Sequence, residues 1–197
     1  MAEADDRLGP AAFEALDPKR RALLGGTEAP VASLEGRERK PGGGPLNILR
    51  TIAHHPHLLE PFLGFAATLA TRGVLSRRDS ELLALRAAWN CGSAFEWGHH
   101  VHYARAAGLE EAEIERVAAG PAAPGWSDRE RLLLEAADEL HGGQDVSNAT
   151  WVRLREAFDD AQLVEIPFVV GIYTMLSMVA KSTGVALEDD LPPLPQP

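Results

Sequence analysis

Hydrophobic residues recur at intervals of three and four along most of the chain, which predicts a series of amphipathic helices. Alternation of apolar and polar positions, which is typical of strands, never persists between turn signals. We therefore predict an all-α helical bundle. The predicted helices cover, approximately, residues 11–24, 46–55, 58–72, 77–90, 94–107, 109–118, 128–141, 148–158 and 160–183.

Helix starts are marked by motifs in which an acidic residue follows a serine after two intervening positions. These motifs are Ser76 with Asp79, Ser93 with Glu96, and Ser127 with Glu130. In such a capping box the serine accepts a bond from a backbone N–H of the first turn, and the acid returns to the N–H of the serine. Each motif therefore predicts where a helix begins.

Composition divides the chain into three parts. Residues 1–44 form a predicted arm and linker, because glycine, proline and charged residues dominate positions 25–45. The arm is expected to pack on the main domain or on a neighbouring subunit. Residues 45–188 carry the helical pattern, and residues 189–197 form a proline-rich, extended tail.

The net charge of the chain limits the classes of partner that are expected. A formal net charge of -10 repels phosphate backbones and anionic membrane surfaces, so neither nucleic acid nor membrane is an expected partner. The most apolar segment, 166–180, is shorter than the roughly 18 residues that a membrane span needs. The acidic N-terminus lacks the apolar stretch of a secretory signal, and the cytoplasm is the expected compartment.

Candidate chemistry is concentrated in residues 76–109. Glu96 and His100 stand four positions apart on one predicted helix, so their side chains share a face. A carboxylate and an imidazole placed in this way can transfer protons near neutral pH. Glu81 reaches towards them from the preceding helix, and Phe95 with Trp97 supplies aromatic walls. The alternative is structural, because Glu96 could act only as the acidic partner of the Ser93 cap.

Other polar residues near this segment are weaker candidates. Arg86 is the nearest cation that could bind a substrate carboxylate, and His55, in a His-Pro-His turn, could face the pocket. His99 and His102 share a helical face with each other but not with His100, and no familiar zinc spacing is present. We expect no metal and no cofactor.

Cys91 is the only cysteine, so neither an intrachain disulfide nor a Cys-x-x-Cys redox centre can form. It is either a small buried residue or a reactive thiol favoured by the helix N-terminus that follows it.

The run from Leu75 to Leu109, with Glu81, Phe95-Glu96-Trp97 and His100, resembles the carboxymuconolactone decarboxylase/AhpD-like superfamily. It is most similar to a branch with a Tyr/Phe-Glu-Trp-x-x-His motif, and the resemblance covers about residues 45–188. It implies an all-α, oligomeric fold: a dimer, trimer or hexamer. In the redox branch, a Cys-x-x-Cys-x-x-x-His run begins twelve residues after a glutamate. In that register this chain keeps Glu81 and His100, while Ser93 and Glu96 replace the two cysteines.

These observations favour a cofactor-independent acid–base enzyme, of decarboxylase, isomerase or lyase type, that acts on a small carbonyl or lactone substrate. His100 would be the general acid/base, assisted by Glu96 and Glu81. One alternative is a peroxiredoxin-type alkylhydroperoxidase activity through Cys91. The other is a non-catalytic scaffold that binds small molecules.

Overall fold

The computed structural model describes residues 7–26 and 46–196, which together hold nine α-helices and no strand. This confirms the predicted all-α fold. The helices are α1 (Pro18–Gly26), α2 (Asn47–Ile52), α3 (Leu59–Arg72), α4 (Arg77–Asn90), α5 (Ala94–Ala106), α6 (Glu111–Ala119), α7 (Asp128–Gly143), α8 (Asn148–Ala157) and α9 (Asp160–Thr183). Most of the predicted linker at 25–45 lies outside the described residues.

The chain divides into two compact units. Within the described residues, the first contains residues 7–26, 46–73 and 179–189, and the second contains residues 74–178 and 190–196. In the first unit, Arg50 donates its Nε–H to the carbonyl of Ala11 at 2.8 Å, and Gly9 donates its backbone N–H to the carbonyl of Thr183 at 3.0 Å. These bonds fix the segment before α1 against α2 and against the end of α9.

The N-terminal region differs from its prediction. A single helix was expected over 11–24, but the structure has a 3-10 turn at Phe13–Ala15 followed by α1, which begins at Pro18. Proline lacks a backbone N–H and fits the first position of a helix, where that group would have no intrahelical partner. Pro18 therefore starts a new helix and does not lie inside a longer one.

Helix α4 lies at the centre of the second unit. Leu83 and Ala87 pack with residues of α7 and α9 in one hydrophobic cluster, while Leu82 and Leu85 pack with Trp97 of α5 and residues of α6 in another. Because both sides of α4 are buried, its charged residues are buried as well. Asp79, Glu81 and Arg86 all lie below one-tenth exposure. A buried charge is stable only when it is paired, so each of them needs a partner from a neighbouring residue.

Helix α9 has 24 residues, and by length and composition alone it could cross a membrane. This corrects the expectation that its apolar segment is too short. Of the 18 consecutive residues that form its most apolar stretch, 44% are buried within the structure. Ile166, Val169 and Val170 contribute to the hydrophobic core. The C-terminal tail contains no helix within its described residues, and Leu191 is buried.

Candidate functional site

Helices α4 and α5 bring an imidazole and a carboxylate together in the interior. Nδ1 of His100 lies 2.6 Å from Oε2 of Glu81, and both side chains are almost fully buried. A carboxylate oxygen accepts hydrogen bonds, so the Nδ1–H of His100 donates a hydrogen bond to Oε2 of Glu81. This bond fixes the orientation of the ring and leaves Nε2 as the atom that can take up or release a proton.

The other oxygen of Glu81 binds a permanent cation. Arg77, one helical turn earlier on α4, donates from Nη2 to Oε1 of Glu81 at 2.5 Å. The side chain of Arg77 is 43% exposed, whereas that of Glu81 is 1% exposed. Arg77 thus supplies a positive charge from the surface to the carboxylate that holds His100.

Glu96 approaches the opposite nitrogen of the ring. Its Oε2 lies 3.8 Å from Nε2 of His100, which is too long for a hydrogen bond but close for two charged groups. Ser93 caps α5, since its Oγ accepts the N–H of Glu96 at 3.4 Å, while the N–H of Ser93 donates to the carbonyl of Ala88. Ser93 therefore makes the cap, and the carboxylate of Glu96 lies beside His100.

Two tyrosine rings complete the surroundings of His100. The ring of Tyr173, from α9, lies 4.1 Å from the imidazole in an edge-to-face arrangement, and the ring of Tyr103 lies at 5.2 Å. Burial, together with the negative charges of Glu81 and Glu96, raises the pKa of Tyr173 above its ordinary value. Tyr173 was not among the residues expected at the site. The available signal was a polar-tipped aromatic residue in the most apolar helix.

Arg86 is bound elsewhere. Its Nε and Nη2 donate to the two carboxylate oxygens of Asp138 at 2.6 and 2.8 Å, and Nη1 donates to the carbonyls of Val117 and Ala118. Arg86 follows Glu81 by five positions, which turns it roughly 140° away around α4. Its guanidinium also lies against Gly120, where an added Cβ would be 3.0 Å from Nη2. Arg86 is thus held by Asp138 and by two backbone carbonyls, and the expectation that it grips a substrate stays a prediction.

The predicted aromatic and histidine neighbours have different surroundings. Trp97 is buried in the hydrophobic cluster of α5, with its ring 6.0 Å from that of Trp89. Phe95 is buried and stacks on His99 at 4.6 Å. His55 is exposed in the first unit, where its Nδ1 accepts the N–H of His57. The roles of Phe95, Trp97 and His55 at the site remain predictions.

The thiol of Cys91 has a histidine of α7 as its neighbour. Sγ of Cys91, at the C-terminal end of α4, is 3.8 Å from Nδ1 of His141. Residues 7–26 and 46–196 contain no group of three or more histidine, cysteine or acidic side chains that could hold a metal ion.

Residues 56–139 match the Carboxymuconolactone decarboxylase family. This segment contains Glu81, Glu96 and His100, and the helical fold around it agrees with the match. Over this segment the chain is similar to the carboxymuconolactone decarboxylase family. No functionally curated protein matches it.

Solved structures show the same fold at low sequence identity. A peroxidase-related protein with an alkylhydroperoxidase AhpD core from Ralstonia eutropha JMP134 has a TM-score of 0.76 and 17% identity, covering 93% of this chain and 94% of its own. A protein of unknown function from Agrobacterium tumefaciens has a TM-score of 0.65 and 22% identity, covering 70% and 94%. A variant of the debrominase Bmp8 in complex with 2,3,4-tribromopyrrole has a TM-score of 0.74 and 13% identity, covering 92% and 91%. These likenesses establish the AhpD-like helical fold.

Proposed function

We propose that the chain is an acid–base enzyme that moves a proton on a small carbonyl or lactone substrate. The observation that carries this proposal is the position of the His100 imidazole between two buried carboxylates, 2.6 Å from Glu81 and 3.8 Å from Glu96. His100 is the general acid/base, Glu81 orients its ring, and Glu96 compensates the charge of the imidazolium.

Each contact contributes one requirement of proton transfer. The bond from Nδ1–H to Glu81 stabilises the imidazolium that forms when Nε2 accepts a proton. Glu96 faces the same nitrogen, so the positive charge develops between two negative groups. Burial increases both interactions, because the effective dielectric constant is lower than in water.

The residues at the positions of the redox pair also support acid–base chemistry. Reduction of a hydroperoxide by a dithiol needs a reactive thiolate and a thiol that resolves its oxidised form. Ser93 and Glu96 occupy those two positions here. The names of the similar structures include both peroxidase-related proteins and a debrominase, so likeness to these proteins leaves the reaction open.

The experiment that tests the proposal is hydrogen–deuterium exchange at the carbon next to a carbonyl, followed by NMR in D₂O over a panel of ketones, lactones and keto acids. The variant His100→Gln removes the base, and His102→Gln, on the same helix, is the matched control. We expect exchange in wild type and His102→Gln and a loss of about 100-fold or more in His100→Gln. Equal exchange in both variants, or none in wild type across the panel, would refute the proposal.

A second candidate is a thiol peroxidase that uses Cys91. It is favoured by the distance of 3.8 Å between Sγ and the imidazole of His141, since a histidine within reach can activate a thiol. Turnover of an organic hydroperoxide with an external dithiol would be measured in wild type, Cys91→Ser and His141→Ala. Activity that both substitutions abolish supports this candidate, and activity that survives in Cys91→Ser eliminates it.

A further inference from the structure

Two hydroxyl groups lie on the side of α9 that Tyr173 presents to His100. Tyr173 and Ser177 are four positions apart and therefore share a helical face. The side chain of Ser177 is buried, with a residue exposure of 1%, and its Oγ has no hydrogen-bond partner among the described residues.

The state of Ser177 is unusual for a helical serine. A buried hydroxyl in a helix normally bonds to the carbonyl four residues earlier, as Thr183 does to Val179 at 2.7 Å in the same helix. A buried polar group without such a bond costs free energy. Ser177 therefore offers a donor that a bound molecule can satisfy, one turn from the tyrosine beside His100.

The charges near this face are mostly negative. The groups whose charge acts on Tyr173 are the carboxylates of Glu81 and Glu96 and the guanidinium of Arg77. Arg77 is paired with Glu81, and Arg86 is held by Asp138. A substrate carboxylate placed here would lie near two like charges in a buried environment, which is strongly unfavourable.

We propose that the substrate is an uncharged carbonyl compound with an acidic C–H bond next to the carbonyl, and that Tyr173 and Ser177 donate hydrogen bonds to its oxygen. This inference rests on the proposed function of His100 as the base. It assigns isomerisation in place of decarboxylation, and it makes Tyr173 a catalytic residue, because its hydroxyl touches the atom on which charge develops.

The reaction is balanced without an oxidant or a reductant. Nε2 of His100 takes the proton from the carbon next to the carbonyl. The electrons of that C–H bond form a C=C bond, and the π electrons of the carbonyl move to oxygen. The two hydroxyls stabilise the resulting enolate. When the carbonyl forms again, His100 returns the proton to the same carbon, which gives hydrogen exchange, or to a conjugated carbon, which gives isomerisation. The raised pKa keeps Tyr173 protonated, so it remains a donor throughout the neutral range.

The first test compares pairs of compounds with the same carbon skeleton. One member of each pair carries a methyl ester, and the other carries a free carboxylate at the same position. We expect exchange of the ester to exceed that of the acid by about 100-fold or more, as expected for like charges in a buried site. Equal or faster exchange of the acid would overturn the inference while leaving the role of His100 intact.

The second test reads the hydrogen bonds directly. A ¹³C=O-labelled cyclic ketone is bound to the protein, and its carbonyl stretching frequency is recorded by infrared difference spectroscopy. We expect a shift to lower frequency in wild type, a smaller shift in Ser177→Ala and the smallest in Tyr173→Phe. Ser182→Ala, a substitution on the exposed face of the same helix, should match wild type. In parallel, Tyr173→Phe should lower kcat about 100-fold with little change in KM, because the bond strengthens in the transition state.

Different results would contradict the role of His100 as the base and the role of Tyr173 and Ser177 as hydrogen-bond donors. If His100→Gln abolishes exchange but Tyr173→Phe leaves both kcat and the carbonyl frequency unchanged, the inference is wrong and the proposed function stands. If no ketone exchanges in wild type but the frequency shift is present and is lost in Tyr173→Phe, the subsite is supported and the proposed function fails. Circular dichroism and melting temperature verify that each variant is folded.

Discussion

The chain uses the same Ser-x-x-Glu motif at the start of α5 and of α7, with different results. At α7 the box is reciprocal: Oγ of Ser127 accepts the N–H of Glu130, and Glu130 accepts the N–H of Ser127 at 2.9 Å. The same carboxylate also accepts from Arg78 at 2.6 Å. At α5 only the serine caps the helix, and the carboxylate of Glu96 faces His100.

The two clusters differ in the basic side chain that lies between the carboxylates. Arg78 joins the carboxylates of Glu113 and Glu130 and carries a permanent charge. His100 also lies between two carboxylates, but an imidazole gains and loses its proton near neutral pH. A cluster around arginine contributes to stability, whereas a cluster around histidine can perform chemistry. Identical motifs therefore have separate roles that are determined by what the fold brings against them.

The largest effect that separates the two motifs is expected from Glu96→Gln. Removing this carboxylate should lower proton exchange by about 100-fold, because the imidazolium loses a compensating charge. The free energy of unfolding should not fall, since Ser93 still caps α5 and one buried charge is removed. NMR exchange and urea denaturation measure both quantities. A clear loss of stability with normal exchange would show that Glu96 is only structural.

The reverse result is expected from Glu130→Gln. This substitution weakens the return half of the cap and the pairing with Arg78, and it should cost about 2 kcal/mol. Proton exchange should remain at the wild-type level. Urea denaturation provides the measurement, and a loss of exchange in folded Glu130→Gln would remove the distinction between the motifs.

Acidic pH should weaken the salt bridges of Arg78 with Glu113 and Glu130 and so lower the melting temperature. The hydrogen bond from Arg78 holds the pKa of Glu113 below its ordinary value of 4.5. Burial opposes the charged form of Glu130, but bonds from Ser127 and Arg78 outweigh it and lower that pKa too. A lowered folded pKa adds stability above the unfolded value, and this stability is lost as pH falls through the folded pKa. We expect the melting temperature to fall below about pH 4.5, with a shallower fall in Arg78→Met. Parallel curves for the two proteins would contradict this assignment.

The smallest effects concern the serines themselves. Ser127→Ala should cost about 1 kcal/mol, because Ser127 caps α7 and also donates to Glu130 at 2.7 Å. Ser93→Ala should cost less, since its single cap bond is long, at 3.4 Å. Melting curves of both variants under one condition measure the difference, and a larger loss in Ser93→Ala would reverse this order.

The helical fold could be predicted because local signals define its elements. Ser76 and the apolar spacing after it predicted a helix over 77–90, and α4 has these bounds. The start of α6 was less well predicted, since the capping box of Glu110 and Glu113 begins with an acid in place of a serine. Near the N-terminus, Pro18 marks the start of α1, and the helix expected over 11–24 did not take this residue into account.

The candidate site could be predicted only in part. The spacing of Glu96 and His100 follows from one helix, and Glu81 was expected to reach the same point from the preceding helix. Tyr173 comes from a distant helix, so only tertiary packing shows that it contacts the imidazole. The surroundings of Arg86 depend in the same way on Asp138 of α7. The chemical roles of the site residues remain predictions.

The contact between Arg86 and Gly120 limits how the sequence can vary. Gly120 has a φ of +90°, a backbone conformation that favours glycine, and a side chain there would displace the guanidinium that binds Asp138. A side chain at this buried position would therefore disturb the pairing of α4 with α7. Among related sequences, glycine at this position and the arginine–aspartate pair should be inherited together, and a chain that lost one of them would be free to lose the others.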